Sequence, residues 1–176
     1  PVMTGIKRAN PELITIAYMG DGGGYAIGSQ HLVNAAARNE RITVILANNT
    51  NYAMTGGQMA PTTMPEQKTE TSPYGRDPVT TGYPMQGPEM VGAITREGAY
   101  VARGTIANLR QLKSYCKKAL QNQIDGNGFS FIEALSSCPT NWRMNAEDTW
   151  KFIEETMPQY FKIGEVKTPG QEQNAS

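Results

Sequence analysis

The sequence predicts an α/β fold with an open, mostly parallel β-sheet and helices on both of its faces. Two short apolar runs rich in β-branched residues, 13–19 and 42–47, are typical of buried parallel strands. A helical pattern separates them, and this strand–helix–strand order favours a parallel crossover unit. The length of 176 residues suits one domain with a substantial core.

The elements at the start of the chain follow from turn and helix signals. Residues 3–10 resemble the end of a helix, which Pro11 closes because proline disfavours continuation. The first strand breaks into a glycine-rich turn at 20–24, and the second strand ends at Asn48-Asn49. The helix between the strands has an expected apolar face of Ile27, Leu32, Val33, Ala36 and Ala37.

A long segment without periodicity, 50–89, follows the second strand. It contains six prolines, and a loop of this length inside a compact domain is usually functional or disordered. Its aromatic residues and Arg76 favour a shaped binding segment. Arg76 has two candidate roles, recognition of a substrate carboxylate by its bidentate guanidinium or a salt bridge that braces the loop.

Regular structure resumes after the loop. Asn108 is predicted as the N-cap of a helix that runs to about Gln123. The other predicted elements are helices at 89–97 and 147–156 and strands at 99–103 and 129–135. Residues 1–168 are expected to form one domain, and residues 169–176 a polar, frayed tail.

Composition and charge disfavour several classes of partner. The 16 basic and 16 acidic residues cancel, so nothing favours binding to nucleic acid or to a membrane surface. No apolar run approaches the roughly 20 residues of a membrane span. Two cysteines are too few for a disulfide framework, which favours a reducing, cytoplasmic location. Because the chain begins at Pro1, we expect a processed product or a fragment.

Polar turns follow the two strands at the edge where ligands of open α/β sheets bind. Gly20-Asp21-Gly22 allows the backbone to approach a phosphate closely. Mg²⁺ prefers oxygen ligands, which Asp21, Asn49 and the carbonyl of Asn51 can supply. Asp21 and Asn49 are 28 positions apart, and one crossover unit returns them to neighbouring strand ends. The pattern predicts a metal held between protein oxygens and a diphosphate.

Nucleotide sites of other kinds fit the sequence less well. Gly-Asp-Gly alone indicates only a turn, but its pairing with Asn48-Asn49 at two strand ends is more specific. Residues 20–25 are not G-x-G-x-x-G, and no acidic residue ends the second strand to hold a ribose. No G-x-x-x-x-G-K-[ST] sequence is present. A nicotinamide-binding domain is therefore the least favoured alternative.

These residues resemble a known signature. Gly20-Asp21-Gly22 followed by Asn48-Asn49 is similar to the cofactor motif of thiamine-diphosphate enzymes. Residues 48–63, 73–78 and 138–142 resemble the β subunits of 2-oxoacid:ferredoxin oxidoreductases, in the branch for 2-oxoglutarate or branched-chain 2-oxoacids. The resemblance extends from residue 4 to about 150. It departs from the family at Gly23, often acidic there, and at Ala53, usually glycine there.

The resemblance implies a thiamine-diphosphate-binding fold that is incomplete at the N-terminus, with thiamine diphosphate and Mg²⁺ as cofactors. It implies that Asp21, Asn49 and the carbonyl of Asn51 hold the Mg²⁺, and that Gln58 helps to shape the cofactor loop. The implied cofactor-binding residues are Gly20, Asp21, Gly22, Asn49, Asn51, Tyr52, Met54 and Thr55.

The resemblance also gives Cys138 a role that the sequence alone does not. A single cysteine after a strand is usually a buried small residue, and an iron–sulfur cluster generally needs four thiolates. Family members that carry a [4Fe–4S] cluster take three ligands from an N-terminal region and a fourth at the position of Cys138. We therefore expect Cys138 to bind a cluster only in the complete subunit, and Cys116 to serve in packing.

The implied activity is oxidative decarboxylation of a 2-oxoacid to an acyl-CoA, with electrons passed to ferredoxin. The family takes the carboxylate that activates the cofactor from an α subunit, so we expect this chain to be inactive alone and assign it no general base. Two alternatives remain open. One is a thiamine-diphosphate-dependent 2-oxoacid decarboxylase subunit without iron–sulfur chemistry, and the other is a non-catalytic α/β interaction domain.

Overall fold

A computed structural model describes residues 1–170 of the chain. Its strands are β1 (Ile16–Gly20), β2 (Thr43–Asn48), β3 (Asn51–Tyr52), β4 (Gln58–Met59), β5 (Tyr100–Thr105), β6 (Ser130–Leu135) and β7 (Gly164–Lys167). Its helices are α1 (Val2–Ala9), α2 (Ser29–Ala37), α3 (Pro78–Thr81), α4 (Gly87–Ile94), α5 (Leu109–Ile124), α6 (Pro139–Trp142), α7 (Ala146–Lys151) and α8 (Met157–Tyr160). Single π-helical turns, Gly23–Ile27 and Phe152–Thr156, precede α2 and α8, and the 3₁₀ turn Ile106–Asn108 leads into α5.

The main sheet has the order β1-β2-β6-β5-β7, and its first four strands are parallel. β7 pairs with β5 in the antiparallel direction, while β3 and β4 form a separate antiparallel ribbon. The predicted open, mostly parallel sheet is confirmed. β7 was missed because its sequence, Gly-Glu-Val-Lys, is short and polar, as is common for an edge strand.

Helices cover both faces of the sheet, as predicted. On one face Leu32 and Ala36 of α2 and Val91 of α4 pack with Leu46 and Phe131 of the strands. On the other face Tyr115 and Ala119 of α5 form a cluster with Tyr100, Ala102 and Ile132. Asn108 caps α5 as expected, because its Oδ1 accepts a 3.1 Å hydrogen bond from the backbone N–H of Gln111.

Two expectations for the first crossover unit are wrong in detail. The first strand begins only at Ile16 and lies at the edge of the sheet, so Ile16 and Tyr18 are exposed. Ile27 and Ala37 are also exposed, and Ala35 is buried instead. The π-helical turn, closed by the Gly28 N–H and the Gly23 carbonyl at 2.7 Å, adds a residue to the first turn. The later side chains therefore depart from the 3.6-residue period.

The long segment after β2 is an ordered loop that Arg76 holds together. Arg76 is 6% exposed, and its guanidinium donates to six backbone carbonyls. Three belong to residues 60, 61 and 63, and three to residues 81, 82 and 83. A guanidinium has five N–H groups, so none is left for a substrate carboxylate. The bracing role is correct, although the acceptors are carbonyls instead of a carboxylate, and the substrate role is withdrawn.

The boundaries of the domain, 1–168, stay a prediction. The predicted frayed tail, 169–176, lies mostly outside the described residues, which end at 170. Within residues 1–170 the longest helix is α5, and no helix is long and apolar enough to cross a membrane.

Arg76→Lys is expected to loosen the loop. A lysine ammonium has three donors on a flexible stem and cannot reproduce the planar contacts to both arms. Leaving buried carbonyls without donors should lower the free energy of unfolding by about 2 kcal/mol. Amide hydrogen exchange across 60–83 should also accelerate. Arg110→Lys, on the exposed side of α5, is the control, and equal effects of the two substitutions would contradict the bracing role.

Candidate functional site

The two polar turns meet at the carboxyl edge of the sheet. β1 and β2 are paired with Gly20 opposite Ala47, so the residues that follow, Asp21 and Asn48, come side by side. Asp21 is 2% exposed and Asn48 is fully buried. The crossover unit thus places the two segments together as the sequence predicted.

The side-chain amide of Asn49 approaches one oxygen from each of the two turns. One terminal atom of the Asn49 amide lies 2.8 Å from the carbonyl oxygen of Asn51 and 3.3 Å from Oδ1 of Asp21. With its nitrogen in that position the amide donates to both oxygens. With its oxygen there, that oxygen lies next to the other two at these distances, and adjacent oxygens of an octahedral Mg²⁺ site lie about 3 Å apart. The residues present therefore fit a small, hard cation.

Asp21 is a buried carboxylate without a basic partner. Its Oδ1 accepts a 2.9 Å hydrogen bond from the Gly22 N–H, and its Oδ2 accepts one from the hydroxyl of Thr62. Burial raises the pKa of Asp21 to about 6, and the negative charge of Glu133 adds to this rise. Among residues 1–170 no salt bridge reaches Asp21. A cation between the three oxygens would supply the missing positive charge.

The turn after β2 adopts an unusual backbone conformation. Thr50 has a φ of 60°, which is rare for a β-branched residue and strained. Its N–H donates to Oδ1 of Asn48 at 3.1 Å. The hydroxyl of Thr63 donates to its carbonyl at 2.5 Å, and the Gln67 amide to its hydroxyl at 2.6 Å. The long loop therefore holds the strained turn that presents Asn49 and Asn51.

The segment after β6 supports the same turn from the other side. The indole N–H of Trp142 donates to the carbonyl of Asn49 at 3.0 Å, and the amide of Asn141 donates to the carbonyl of Ala53 at 2.9 Å. The backbone N–H of Ser136 donates to the carbonyl of Asn48 at 2.8 Å. Residues 136–142 thus fix the position of the turn after β2.

Tyr52 covers the glycine-rich turn. A Cβ atom added to Gly22 would lie 2.2 Å from the Tyr52 ring, so only glycine allows this close approach. Met54 is 99% exposed, and the hydroxyl and carbonyl of Thr55 bond to the Gln58 side chain at 2.5 and 2.9 Å. The structure brings together the predicted residues from Gly20 to Gly22 and from Asn49 to Tyr52. Met54 and Thr55 lie in the turn between β3 and β4.

The cysteines make no metal site by themselves. Both are free, Cys116 half-buried and Cys138 buried just beyond the end of β6. Burial raises the pKa of the Cys116 thiol. In the part of the chain that the structure describes, no group of three or more His, Cys, Asp and Glu side chains is arranged to hold a metal ion. Two cysteines cannot supply the four thiolates of a cluster. An oxygen-ligated cation would need one carboxylate, from Asp21, because its other protein ligands are an amide and a backbone carbonyl.

Sequence reasoning missed three contributors to the site. Three residues act through hydrogen bonds to the turn after β2 or to Asp21: Thr50, Thr62 and Trp142. Thr50 and Thr62 lie in the run 48–63 and Trp142 in the run 138–142, both of which carried the resemblance. These two runs could therefore have pointed to the three residues, but the sequence does not show the contacts between them, which form only on folding.

Comparison with known proteins gives the family. Residues 1–134 match the model of the thiamine pyrophosphate enzyme, C-terminal TPP binding domain. The chain is 41% identical over 165 residues to ketoisovalerate oxidoreductase subunit VorA of Methanothermobacter thermautotrophicus, a match that covers 92% of this chain and 34% of the relative. It is 40% identical over 154 residues to 2-oxoglutarate synthase subunit KorB of Archaeoglobus fulgidus, covering 86% of this chain and 53% of the relative.

A solved structure shares the fold. It is 2-oxoglutarate:ferredoxin oxidoreductase from Magnetococcus marinus with 2-oxoglutarate, coenzyme A and succinyl-CoA bound. The match has a TM-score of 0.75 at 24% identity and covers 97% of this chain and 62% of the other. The resemblance found in the sequence is confirmed. The chain belongs to the thiamine pyrophosphate enzymes, through their C-terminal TPP-binding domain, and resembles within them the β subunits of 2-oxoacid:ferredoxin oxidoreductases.

Proposed function

We propose that this chain is the thiamine-diphosphate- and Mg²⁺-binding part of an oxidoreductase that decarboxylates a 2-oxoacid, forms an acyl-CoA and passes electrons to ferredoxin. The approach of the Asn49 side-chain amide to the Asn51 carbonyl at 2.8 Å and to Oδ1 of Asp21 at 3.3 Å carries this proposal. The chain spans 34% and 53% of the lengths of the two curated relatives.

The residues of the chain have a defined task in this proposal. Asp21, Asn49 and the carbonyl of Asn51 hold the Mg²⁺, and the diphosphate of the cofactor completes its coordination. Gly20 has nothing within 4 Å of its Cβ position and leaves the backbone open for that diphosphate, while Gly22 allows Tyr52 to cover the turn. When bound, thiamine diphosphate supplies the nucleophile and the electron sink for the 2-oxoacid. No residue of this chain is assigned as general base.

The other partners follow from the same proposal. The relatives are named as subunits, so we propose an α subunit as partner, with a 2-oxoacid and coenzyme A as reactants and ferredoxin as electron acceptor. The exposed side chain of Met54, together with Thr55, is assigned to the cofactor side of that interface. The cytoplasmic location stays a prediction.

Asp21→Asn tests the metal site. The change removes the only carboxylate among the three ligands while keeping the shape of the side chain. Because loss of a supporting contact alone weakens metal sites 10–100-fold, we expect the apparent affinity for Mg²⁺ and thiamine diphosphate in the native complex to fall at least about 100-fold. Asp125→Asn, in the exposed turn after α5, should bind both normally. Normal cofactor content in Asp21→Asn would refute the assignment.

Thr62→Val tests the support of the metal ligand. Its hydroxyl bonds to Oδ2 of Asp21, and valine keeps the shape but not the donor. We expect the Mg²⁺ concentration needed for half-saturation to rise about tenfold. Thr62→Ser keeps the hydroxyl and should restore nearly normal affinity. Equal behaviour of the two variants would show that the hydrogen bond does not matter.

Cys138→Ser separates the oxidoreductase from the decarboxylase alternative. If Cys138 is the fourth ligand of a [4Fe–4S] cluster in the complete subunit, the substitution should lower the iron content and abolish reduction of ferredoxin. Thiamine diphosphate content should not change, and Cys116→Ser should have no effect. A native complex that contains thiamine diphosphate but no iron would instead favour the decarboxylase. One that binds no thiamine diphosphate at saturating Mg²⁺ would favour the non-catalytic interaction domain.

A further inference from the structure

A buried ion pair lies at the centre of the sheet, beside the two cofactor turns. Arg103 of β5 and Glu133 of β6 are paired in register, and neither side chain is exposed. The Arg103 Nε donates to Oε1 of Glu133 at 2.7 Å. A buried ion pair is usually no more stabilising than apolar side chains of similar size. Stability alone therefore does not explain these charges in central strands.

Glu133 also reaches both cofactor turns. Its Oε1 accepts a second hydrogen bond, at 3.2 Å, from the amide of Asn48. Its Oε2 accepts a hydrogen bond from the hydroxyl of Tyr25. Asn48 directly precedes the ligand Asn49, and Tyr25 lies in the π-helical turn four residues after the ligand Asp21. One carboxylate thus joins the elements that carry the two ligand side chains.

Both links are rigid. The amide of Asn48 donates to Glu133 through Nδ2, while its Oδ1 accepts from the N–H of Thr50 at 3.1 Å, so the side chain transmits its orientation to the strained turn. The Tyr25 side chain is 2% exposed. Its hydroxyl lies so close to Gly87 that a Cβ there would be 1.7 Å away. Neither side chain can therefore reorient freely while Glu133 holds it.

Arg103 has its other partners away from the turns. Its Nη1 and Nη2 donate to the two carboxylate oxygens of Glu89 at 2.7 and 2.8 Å. Nη1 also donates to the carbonyl of Lys162 at 3.1 Å, and Nη2 to Oε1 of Gln86 at 3.3 Å. Glu89 shares Arg103 with Glu133, and within residues 1–170 both hydrogen bonds of the Glu89 carboxylate are with Arg103. The chain therefore offers a matched control for the charge of Glu133.

We infer that Glu133 is a positioning residue that holds the two halves of the cofactor site in register, one turn through Asn48 and the other through Tyr25. This inference rests on the proposed function. Glu133 is not one of the three residues proposed to bind the Mg²⁺. It acts through the two residues that fix the backbones carrying Asp21 and Asn49. Arg103 fixes the position of the Glu133 carboxylate from the side away from the turns, through the 2.7 Å contact of its Nε with Oε1.

Glu133→Gln and Glu89→Gln in the native complex test this role. Each removes one negative charge next to Arg103, but only the first removes a carboxylate that touches Asn48 and Tyr25. For Glu133→Gln we expect the Mg²⁺ concentration for half-maximal activity to rise about tenfold, with kcat at saturating Mg²⁺ within about twofold of the native value. Amide hydrogen exchange should accelerate at residues 20–25 and 48–52. Glu89→Gln should leave both quantities unchanged.

Tyr25→Phe keeps the test decisive if Glu133→Gln does not assemble. It cuts only the link to the glycine-rich turn, so exchange should accelerate at residues 20–25 and not at 48–52. The inference would be overturned if exchange stayed unchanged at both turns in Glu133→Gln, or at residues 20–25 in Tyr25→Phe. It would also be overturned if Glu89→Gln changed exchange as much as Glu133→Gln. The exchange measurement needs no cofactor. A native complex that binds neither Mg²⁺ nor thiamine diphosphate would refute the proposed function, while the exchange pattern would still decide the role of Glu133.

Discussion

The parallel pairing of β1 with β2 is the interaction on which the candidate site depends. It fixes Gly20 opposite Ala47, and in that register Asp21 follows level with Asn48, next to Asn49. A shift by one residue would turn every side chain of β1 to the other face and separate Asp21 from the other two oxygens. β1 is an edge strand with exposed Ile16 and Tyr18. Its register is therefore set by β2 alone within the described residues.

The long loop is as much part of the site as the strands are. Arg76 joins its two arms through backbone carbonyls, and Thr62, Thr63 and Gln67 in its first arm bond to Asp21 or to Thr50. The positive φ of Thr50 is unfavourable for an isolated turn. It persists because the loop supplies hydrogen bonds to the hydroxyl and carbonyl of that residue. The same hydrogen bonds therefore order the long loop and hold the turn after β2. This explains why a proline-rich segment without periodicity is ordered here.

The sequence predicted the parts of this arrangement that are local or repeat along the chain. Strand β2 was visible as an apolar run, α5 as a capped helix, and the meeting of the two turns as polar residues at strand ends. Contacts between distant segments could not be predicted. Nothing in the local sequence shows that Glu133 in an apolar strand meets Arg103, or that Arg76 bonds to carbonyls on both arms of its loop. The exposure of Ile27 was mispredicted for a geometric reason, because one π-helical turn displaced the helical period.

Electrostatics links the buried ion pair to the need for a metal. The interior beside the turns contains the carboxylates of Asp21 and Glu133, and Glu133 shares Arg103 with Glu89. Burial raises the pKa of Asp21 to about 6, and no salt bridge among residues 1–170 offsets its charge. A diphosphate that approached this edge alone would meet a negative charge in a region of low dielectric, where such repulsion is strong. A divalent cation between the carboxylate and the diphosphate reverses the sign of that interaction. If the site binds thiamine diphosphate, the buried charges therefore require the metal and the diphosphate to bind together.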